Sequence, residues 1–174
     1  AKLSFGTQEM EYWQGRLDAT AEKYGFDKGY KLCYQPLSWI PRCTHAFISL
    51  NPGARRSFFP AEVVHDPAGN SYVEELETSK SPINKQFIML YELLGTSIDR
   101  VLTTVVHPYR SSRWSDLSKA QKDGGEALGR EWLTACLHDG IRTITTTGRE
   151  AERVIVTLIG ARLETSLPSG WGAV

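Results

Sequence analysis

Apolar positions recur along the chain at two spacings, one typical of amphipathic helices and the other of buried strands. Met10, Trp13 and Leu17 share one face of a helix that this pattern predicts over residues 7–24. The run from His45 to Leu50 is short and mostly apolar, which is typical of a buried strand. The same criteria predict helices over residues 82–94, 123–138 and 148–159, and strands over residues 30–35, 100–106, 142–147 and 161–166.

Turn residues delimit the clearest of these helices. Ser81 is a suitable N-cap, Pro82 suits the first helical position, and Gly95 suits the position just after the helix. Residues 51–80 and 107–122 are polar and are predicted to be loops. Loops of such length inside a compact domain are usually functional or mobile, so both are candidates for a site.

The alternation of strands and helices predicts a parallel sheet with helices on both faces. We therefore expect an α/β fold, a three-layer α/β/α sandwich with a mostly parallel central sheet of four to five strands. The chain has 174 residues, and a domain usually has about 100–200, so residues 1–174 are interpreted as a single domain.

Composition excludes several other classes of protein. The chain is 41% hydrophobic and 23% charged, which is typical of soluble globular proteins and not of disordered, coiled-coil or collagen-like chains. No apolar run is long enough to span a membrane, and the N-terminal residues lack the pattern of a secretory signal. Cys33, Cys43 and Cys136 form neither a disulfide framework nor a zinc motif, so we expect reduced thiols in a cytoplasmic protein.

Charge and histidine spacing limit the partners. The 20 basic and 20 acidic residues give a net charge of zero, so any basic surface must be local. None of the four histidines has a Cys or carboxylate at ligand spacing, and no metal or other cofactor is expected.

Four polar turns follow predicted strands, and ligands of parallel sheets bind at the carboxyl ends of the strands. Each turn alone is typical of an ordinary connection, so their shared position carries the argument. An amide at a strand end can position a water molecule. Arg side chains beside aromatic rings can contact the phosphates and bases of nucleic acid. Free N–H groups at the start of a helix can bind an anion. The turns begin at Asn51, His107, Gly148 and Leu167.

Two of these turns resemble the motifs of the uracil-DNA glycosylase superfamily. They are the LNPG sequence at residues 50–53 and the PSG sequence at residues 168–170. The closest branches are the mismatch-specific uracil/thymine glycosylases and the single-strand-selective ones. Residues 103–110 resemble the strand of that superfamily that reads the base, and residues 147–151 resemble its Gly-x-x-Ala helix start. The resemblance covers roughly residues 40–174.

The resemblance implies a monofunctional enzyme that flips a damaged, mismatched or modified pyrimidine out of DNA and hydrolyses its N-glycosidic bond to leave an abasic site. Asn51 matches the position that holds the attacking water. An amide is not a strong base, so the reaction would be dissociative, with the departing base stabilised as an anion. The pocket for the base would include Leu50, Pro52 and Gly53, with Phe58 or Phe59 stacking on it.

Three positions depart from the family pattern. Ser49 stands where the family usually has Gly, and Thr104 stands where an Asn often reads the base. Leu167 replaces a His or Asn that would donate to a base carbonyl. His107 or Ser169 would have to supply that catalytic contact. These departures favour a target other than plain uracil.

The resemblance also implies DNA as the partner, and we expect the protein to be a monomer. Trp171 is placed where these enzymes insert a wedge into the duplex. The remaining candidate DNA contacts lie in the same four turns: Arg55, Arg56, Arg110, Arg113, Gly148, Arg149, Pro168 and Gly170.

Two alternatives stay open at this point. One is a DNA-binding protein that keeps the glycosylase fold without catalysis, because Thr104 and Leu167 both weaken it. The other is an unrelated α/β hydrolase or nucleotide-binding enzyme that uses the turn at Gly148 for phosphate, although no Walker, G-x-S-x-G or G-x-G-x-x-G motif is present.

Overall fold

The computed structural model describes residues 6–54, 60–76 and 81–160. The helices are α1 (Thr7–Tyr24), α2 (Ser71–Glu74), α3 (Pro82–Leu93), α4 (Lys119–Cys136) and α5 (Arg149–Ile159). The strands are β1 (Tyr30–Lys31), β2 (His45–Ser49), β3 (Glu62–Val63), β4 (Val101–Val105) and β5 (Thr143–Thr146). Short 3-10 helices cover Leu37–Arg42, Ile98–Arg100 and Trp114–Asp116.

The strands form two parallel sheets. In the larger one β2 lies between β4 and β5, with Ile48 paired to Thr104 on one side and to Thr146 on the other. The smaller sheet pairs β1 with β3. The smaller sheet contacts the segment that follows β4, because Lys31 N donates to the carbonyl of Pro108 over 2.9 Å. The protein is therefore α/β, as the sequence predicts.

The central sheet is smaller than the predicted four to five strands. Among the described residues it has three, and the predicted strand at 30–35 pairs regularly only over Tyr30 and Lys31. Beyond them the chain makes an isolated antiparallel bridge from Cys33 to Thr104 and then reaches Pro36, which has no N–H to continue a ladder. The predicted strand at 161–166 lies outside the described residues.

Two element boundaries differ from the sequence prediction because of side-chain caps. Helix α4 begins at Lys119 and not near residue 123, since Ser118 and Gln121 form a reciprocal capping box. The predicted loop at 51–80 contains β3 and α2, and the Asn70 side chain accepts a hydrogen bond from Tyr72 N over 3.0 Å at the start of α2. The predicted helix at 82–94 is confirmed over Pro82–Leu93, and Gly95 follows it with a left-handed φ of 59°.

The core has two parts, one on each face of the larger sheet. On one face, side chains from α1, α4 and α5 surround Trp132, whose ring meets Trp13 edge-on at 5.2 Å. On the other face, Phe47 and Phe87 pack with residues of α2 and α3. Helices thus cover both faces, and the carboxyl ends of the strands remain for a site.

The three cysteines are buried free thiols. Burial raises the pKa of Cys33 to about 12 and that of Cys43 to about 11, so both are protonated at neutral pH. No helix in the described part of the chain is both long and apolar enough to cross a membrane.

Candidate functional site

A cavity of about 740 Å³ lies at the carboxyl end of β2. Its wall combines the turn after β2, the segment around β3, the strand β1 and the starts of α2 and α3. The side chains that matter for the chemistry are those of Lys31, Tyr34, Asn51, Asp66, Tyr72 and Arg110.

The side-chain amide of Asn51 is held in one orientation at this wall. Its Nδ2 lies 3.1 Å from the carbonyl oxygen of Pro52, 3.3 Å from that of Tyr109 and 2.9 Å from Oγ of Ser111. Backbone carbonyls only accept hydrogen bonds, so the NH2 group and not Oδ1 must face them. Oδ1 is therefore the atom that Asn51 offers to a ligand in the cavity.

The first two predicted turns meet at Asn51. Ser111 N donates to the carbonyl of Pro52 over 3.3 Å, in addition to the contact between the two side chains. The Arg110 guanidinium donates through Nε to the carbonyl of Ala61 over 3.0 Å and through Nη1 to that of Gly53 over 3.4 Å. Arg110 thus fastens the turn after β2 to the segment before β3. Its role as a DNA contact stays a prediction.

A lysine that the sequence analysis did not select lies in the same wall. Lys31 is 7% exposed, and its Nζ lies 2.6 Å from Oγ of Ser71, which in turn lies 2.7 Å from Oδ2 of Asp66. The carboxylates of Asp66 and Glu75 are 3.6 and 3.8 Å from Nζ, and the ring of Tyr34 is 4.6 Å away. Burial lowers the pKa of Lys31, although both carboxylates oppose that shift.

The aromatic part of the wall comes from Tyr34 and Tyr72. Their rings are tilted by 31° with centroids 4.8 Å apart. The Tyr72 hydroxyl lies 3.4 Å from Oγ of Ser49, the residue that stands where the resembling family usually has Gly. Burial raises the pKa of Tyr72 to about 12, so its phenol is neutral. Both rings line the cavity but are buried, so only a small part of each is open to a ligand. The predicted stacking residues Phe58 and Phe59 lie outside the described residues.

Among the described residues, the wall carries more acidic than basic side chains. Glu62, Asp66, Glu74 and Glu75 line it, against Lys31 and Arg110. Burial and the nearby Asp66 raise the pKa of Glu74. The described part of the wall therefore offers carboxylates beside the amine of Lys31 and the guanidinium of Arg110.

Thr104 does not line the cavity. It is fully buried, and its Oγ1 donates to the carbonyl of Leu32 over 2.7 Å and accepts from Nε1 of Trp132 over 2.8 Å. Both hydrogen bonds belong to the core on the α4 side of the sheet. The expectation that Thr104 contacts the base is therefore wrong for this arrangement of the chain.

His107 is also a core residue and not a group of the cavity. It is fully buried against α4, where its Nε2 donates to the carbonyl of Gln121 over 3.2 Å, and the rings of Phe26 and Trp114 meet it edge-on. Burial lowers its pKa, which keeps the ring neutral. The catalytic role expected for His107 has no geometric support, because nothing in the cavity contacts it.

The other three residues of the LNPG motif differ in burial and in whether they line the cavity. Leu50 packs against the core, and its carbonyl accepts from His107 N over 2.9 Å. Pro52 is buried, whereas Gly53 is exposed and lines the cavity. Of the three, Gly53 is the one that lines the cavity and is open to a ligand.

The third predicted turn stands apart from the cavity. Gly148 precedes α5 with a φ of 90°, a conformation that favours glycine, and Arg149 is exposed at the first helical position. Arg113 is exposed beyond β4. Several predicted site residues lie outside the described residues: Arg55, Arg56, Phe58, Phe59, Leu167, Pro168, Ser169, Gly170 and Trp171.

Metal binding has no candidate within the ranges that the structure describes, where no three His, Cys, Asp or Glu side chains are grouped for an ion. Comparisons of the chain with family models, curated proteins and solved structures find no match. The function must therefore be inferred from the geometry of the cavity and from the sequence motifs.

Proposed function

We propose that this protein is a DNA glycosylase that takes a damaged, mismatched or modified pyrimidine into the cavity beside Asn51 and hydrolyses its N-glycosidic bond. The observation that carries the proposal is the fixed amide of Asn51. Three acceptors hold its NH2 group, and its Oδ1 is left to accept a hydrogen bond from a water molecule at the strand end.

The chemistry follows from what an amide can do. Oδ1 of Asn51 orients the water but cannot remove its proton early, so the glycosidic bond breaks before the water adds. The sugar then carries positive charge, which the carboxylates of the wall stabilise, and the base leaves as an anion. Backbone N–H groups of the turn at Gly53, which lines the cavity, are uncharged donors for that anion.

The cavity has room for a pyrimidine larger than uracil. Cavities of several hundred Å³ hold ligands of drug size, so about 740 Å³ accommodates a pyrimidine that carries a substituent. The Thr104 hydroxyl is hydrogen-bonded in the core, so it cannot make the donor and acceptor contacts by which an Asn at this position would select uracil. The wall instead presents acidic groups, which suit a base whose substituent carries hydroxyl or amino groups.

DNA would bind outside the cavity and only the flipped base would enter it. The exposed Arg113 and Arg149 follow β4 and β5, the two neighbours of β2, at the same edge of the sheet. Phosphate contacts from such residues position the duplex without reading its sequence.

The proposal is tested with labelled single strands and duplexes that carry uracil, hydroxymethyluracil, mismatched thymine, or hydroxymethylcytosine with and without an attached sugar. We expect alkali-labile cleavage of at least one substrate. Asn51→Ala should lower that rate about 100-fold, the usual scale for a misplaced reactant. Ser111→Ala is the matched control, because it removes one acceptor and keeps the two backbone carbonyls; we expect a loss below about 10-fold.

A second candidate is a DNA-binding protein without excision activity, which the burial of Thr104 favours. DNA binding with no excised base from any substrate would select this candidate and overturn the glycosylase. An excision rate unchanged by Asn51→Ala would leave the enzyme but remove the role of Asn51.

A further inference from the structure

The amine of Lys31 has a place in the cavity that base excision does not use. Its Nζ is only slightly exposed, yet Lys31 lines the same cavity as Asn51. Nζ donates to Oγ of Ser71, and that hydroxyl donates to Asp66, because a carboxylate only accepts. The two links of 2.6 and 2.7 Å form a continuous path for a proton from the amine to a carboxylate.

We propose that Lys31 gives the protein a second activity, cleavage of the DNA strand at an abasic site through an imine between Nζ of Lys31 and C1′ of the sugar. The inference rests on the proposed function, because an abasic site in this cavity is the product of base excision there. It adds a reaction that hydrolysis at Asn51 does not provide.

The path from Lys31 through Ser71 to Asp66 supplies the neutral amine that the reaction requires. An ammonium group cannot attack a carbonyl, so Lys31 must first lose a proton, and Ser71 passes that proton to Asp66. Burial lowers the pKa of Lys31, which makes this transfer easier than for an exposed lysine. The neutral Nζ then adds to the C1′ aldehyde and forms a carbinolamine.

The remaining steps need no oxidant, metal or added reactant. The carbinolamine hydroxyl leaves as water with the proton held on Asp66, which gives a protonated imine and restores the carboxylate. Asp66 next removes a C2′ proton, the C3′–O bond breaks, and the 3′ phosphate leaves with the electron pair. Water finally hydrolyses the imine, which releases an unsaturated aldehyde and returns the amine of Lys31.

The experiment uses the full chain and a duplex with a preformed abasic site, so that it does not depend on base excision by this protein. Wild-type protein should cleave the strand and leave an unsaturated aldehyde at the 3′ end. With borohydride present it should form a covalent adduct, which peptide mass mapping assigns to Lys31. A duplex whose abasic aldehyde has been reduced beforehand should give neither product.

Lys31→Arg keeps a positive charge but not the nucleophile, and should lower cleavage and adduct formation by about 100-fold or more. Lys85→Arg is the control, because Lys85 is exposed on α3 and does not line the cavity. The mapped adduct on the wild-type protein tests the proposal even if Lys31→Arg does not fold.

Two results would overturn the inference: no wild-type adduct, or an adduct that maps to another amine. Its failure is distinguishable from failure of the glycosylase proposal. Excision of a modified base without an adduct removes only the second activity. An adduct at Lys31 without excision of any tested base removes the first and keeps the second.

Discussion

Two side chains of the cavity are fixed by opposite kinds of contact. Asn51 presents its NH2 group to carbonyl oxygens, where a carboxylate would be repelled. Lys31 presents its amine to a hydroxyl and two half-buried carboxylates, where a neutral apolar chain would remove the positive charge that both carboxylates face. The protein thus specifies an amide at one position and an amine at the other by their surroundings.

At the scale of single residues, Thr104 is expected to contribute to stability and not to base recognition. Thr104→Val removes the acceptor of Trp132 Nε1 and the donor to the carbonyl of Leu32, and leaves two buried polar groups without that partner. We expect the free energy of unfolding to fall by about 1–3 kcal/mol. Urea unfolding followed by tryptophan fluorescence measures the change.

The control for Thr104→Val is Thr134→Val, on the exposed side of α4. Thr134 donates only to a carbonyl one turn earlier in its own helix, so its replacement should change stability by less than about 0.5 kcal/mol. Equal effects of the two substitutions would show that the buried hydrogen bonds of Thr104 contribute nothing.

The sequence analysis selects Asn51 as a site residue and does not select Lys31, and one physical reason explains both results. Asn51 follows an apolar strand and precedes Pro-Gly, so its place at the strand end is a local property of the sequence. Lys31 meets Ser71 only through a contact between residues 40 positions apart. Thr104 and His107 fail as site residues for a similar reason, because the packing of α4 decides which side of the sheet they face.

At the scale of elements, α4 approaches the end of β4 so closely that two of its residues must lack a side chain. A Cβ at Gly129 would overlap with the carbonyl oxygen of Val106, and one at Gly125 would overlap with Nε2 of His107. The sequence shows these glycines inside a helical pattern, where they reduce helix propensity by about 1 kcal/mol each. Close packing against the strand end explains their presence.

Gly129→Ala should therefore destabilise the protein by at least about 3 kcal/mol, because the neighbouring atom belongs to the backbone and cannot rotate away. Gly15→Ala is the matched control in α1, where a Cβ has open space. We expect it to raise the free energy of unfolding by about 0.5–1 kcal/mol. Thermal and urea unfolding of both variants check the prediction, which is contradicted if Gly129→Ala is tolerated as well as Gly15→Ala.

The order of helices and strands could be predicted from local sequence better than their extents. Apolar periodicity identifies α1, β2, α3 and β4 within a few residues of their observed bounds. The start of α4 and all of α2 depend on side-chain caps at Ser118 and Asn70, which are single residues inside polar stretches. The reduced size of the sheet depends on where β1 stops pairing, which tertiary contacts determine.

At the scale of the whole molecule, a net charge of zero conceals an uneven distribution. Acidic groups line the cavity, while Arg113 and Arg149 are exposed near the same edge of the sheet. Under the proposed function, the two arginines would contact DNA phosphates while the flipped base enters the cavity. It also means that neutral composition gives no argument against nucleic acid as the partner.

The stability of the whole protein should depend on pH through His107. Nε2 of His107 donates to a carbonyl, and among the described residues Nδ1 has no hydrogen-bond partner. Burial holds the pKa below its ordinary value of 6.5, and the unfolded chain therefore takes up a proton at a higher pH than the folded protein. The free energy of unfolding should fall as pH decreases below about 6.5, by up to about 1.4 kcal/mol per pH unit, until the folded protein also titrates. The ordinary pKa values of Asp99 and Glu126 are below 5 and are lowered further in the folded protein, so these two groups change stability only at more acid pH.

Urea unfolding at several pH values between 7.5 and 5.5 measures how steeply the free energy of unfolding of the wild type and of His107→Gln depends on pH. A smaller slope in the variant is expected, and identical slopes would assign the pH dependence to other groups.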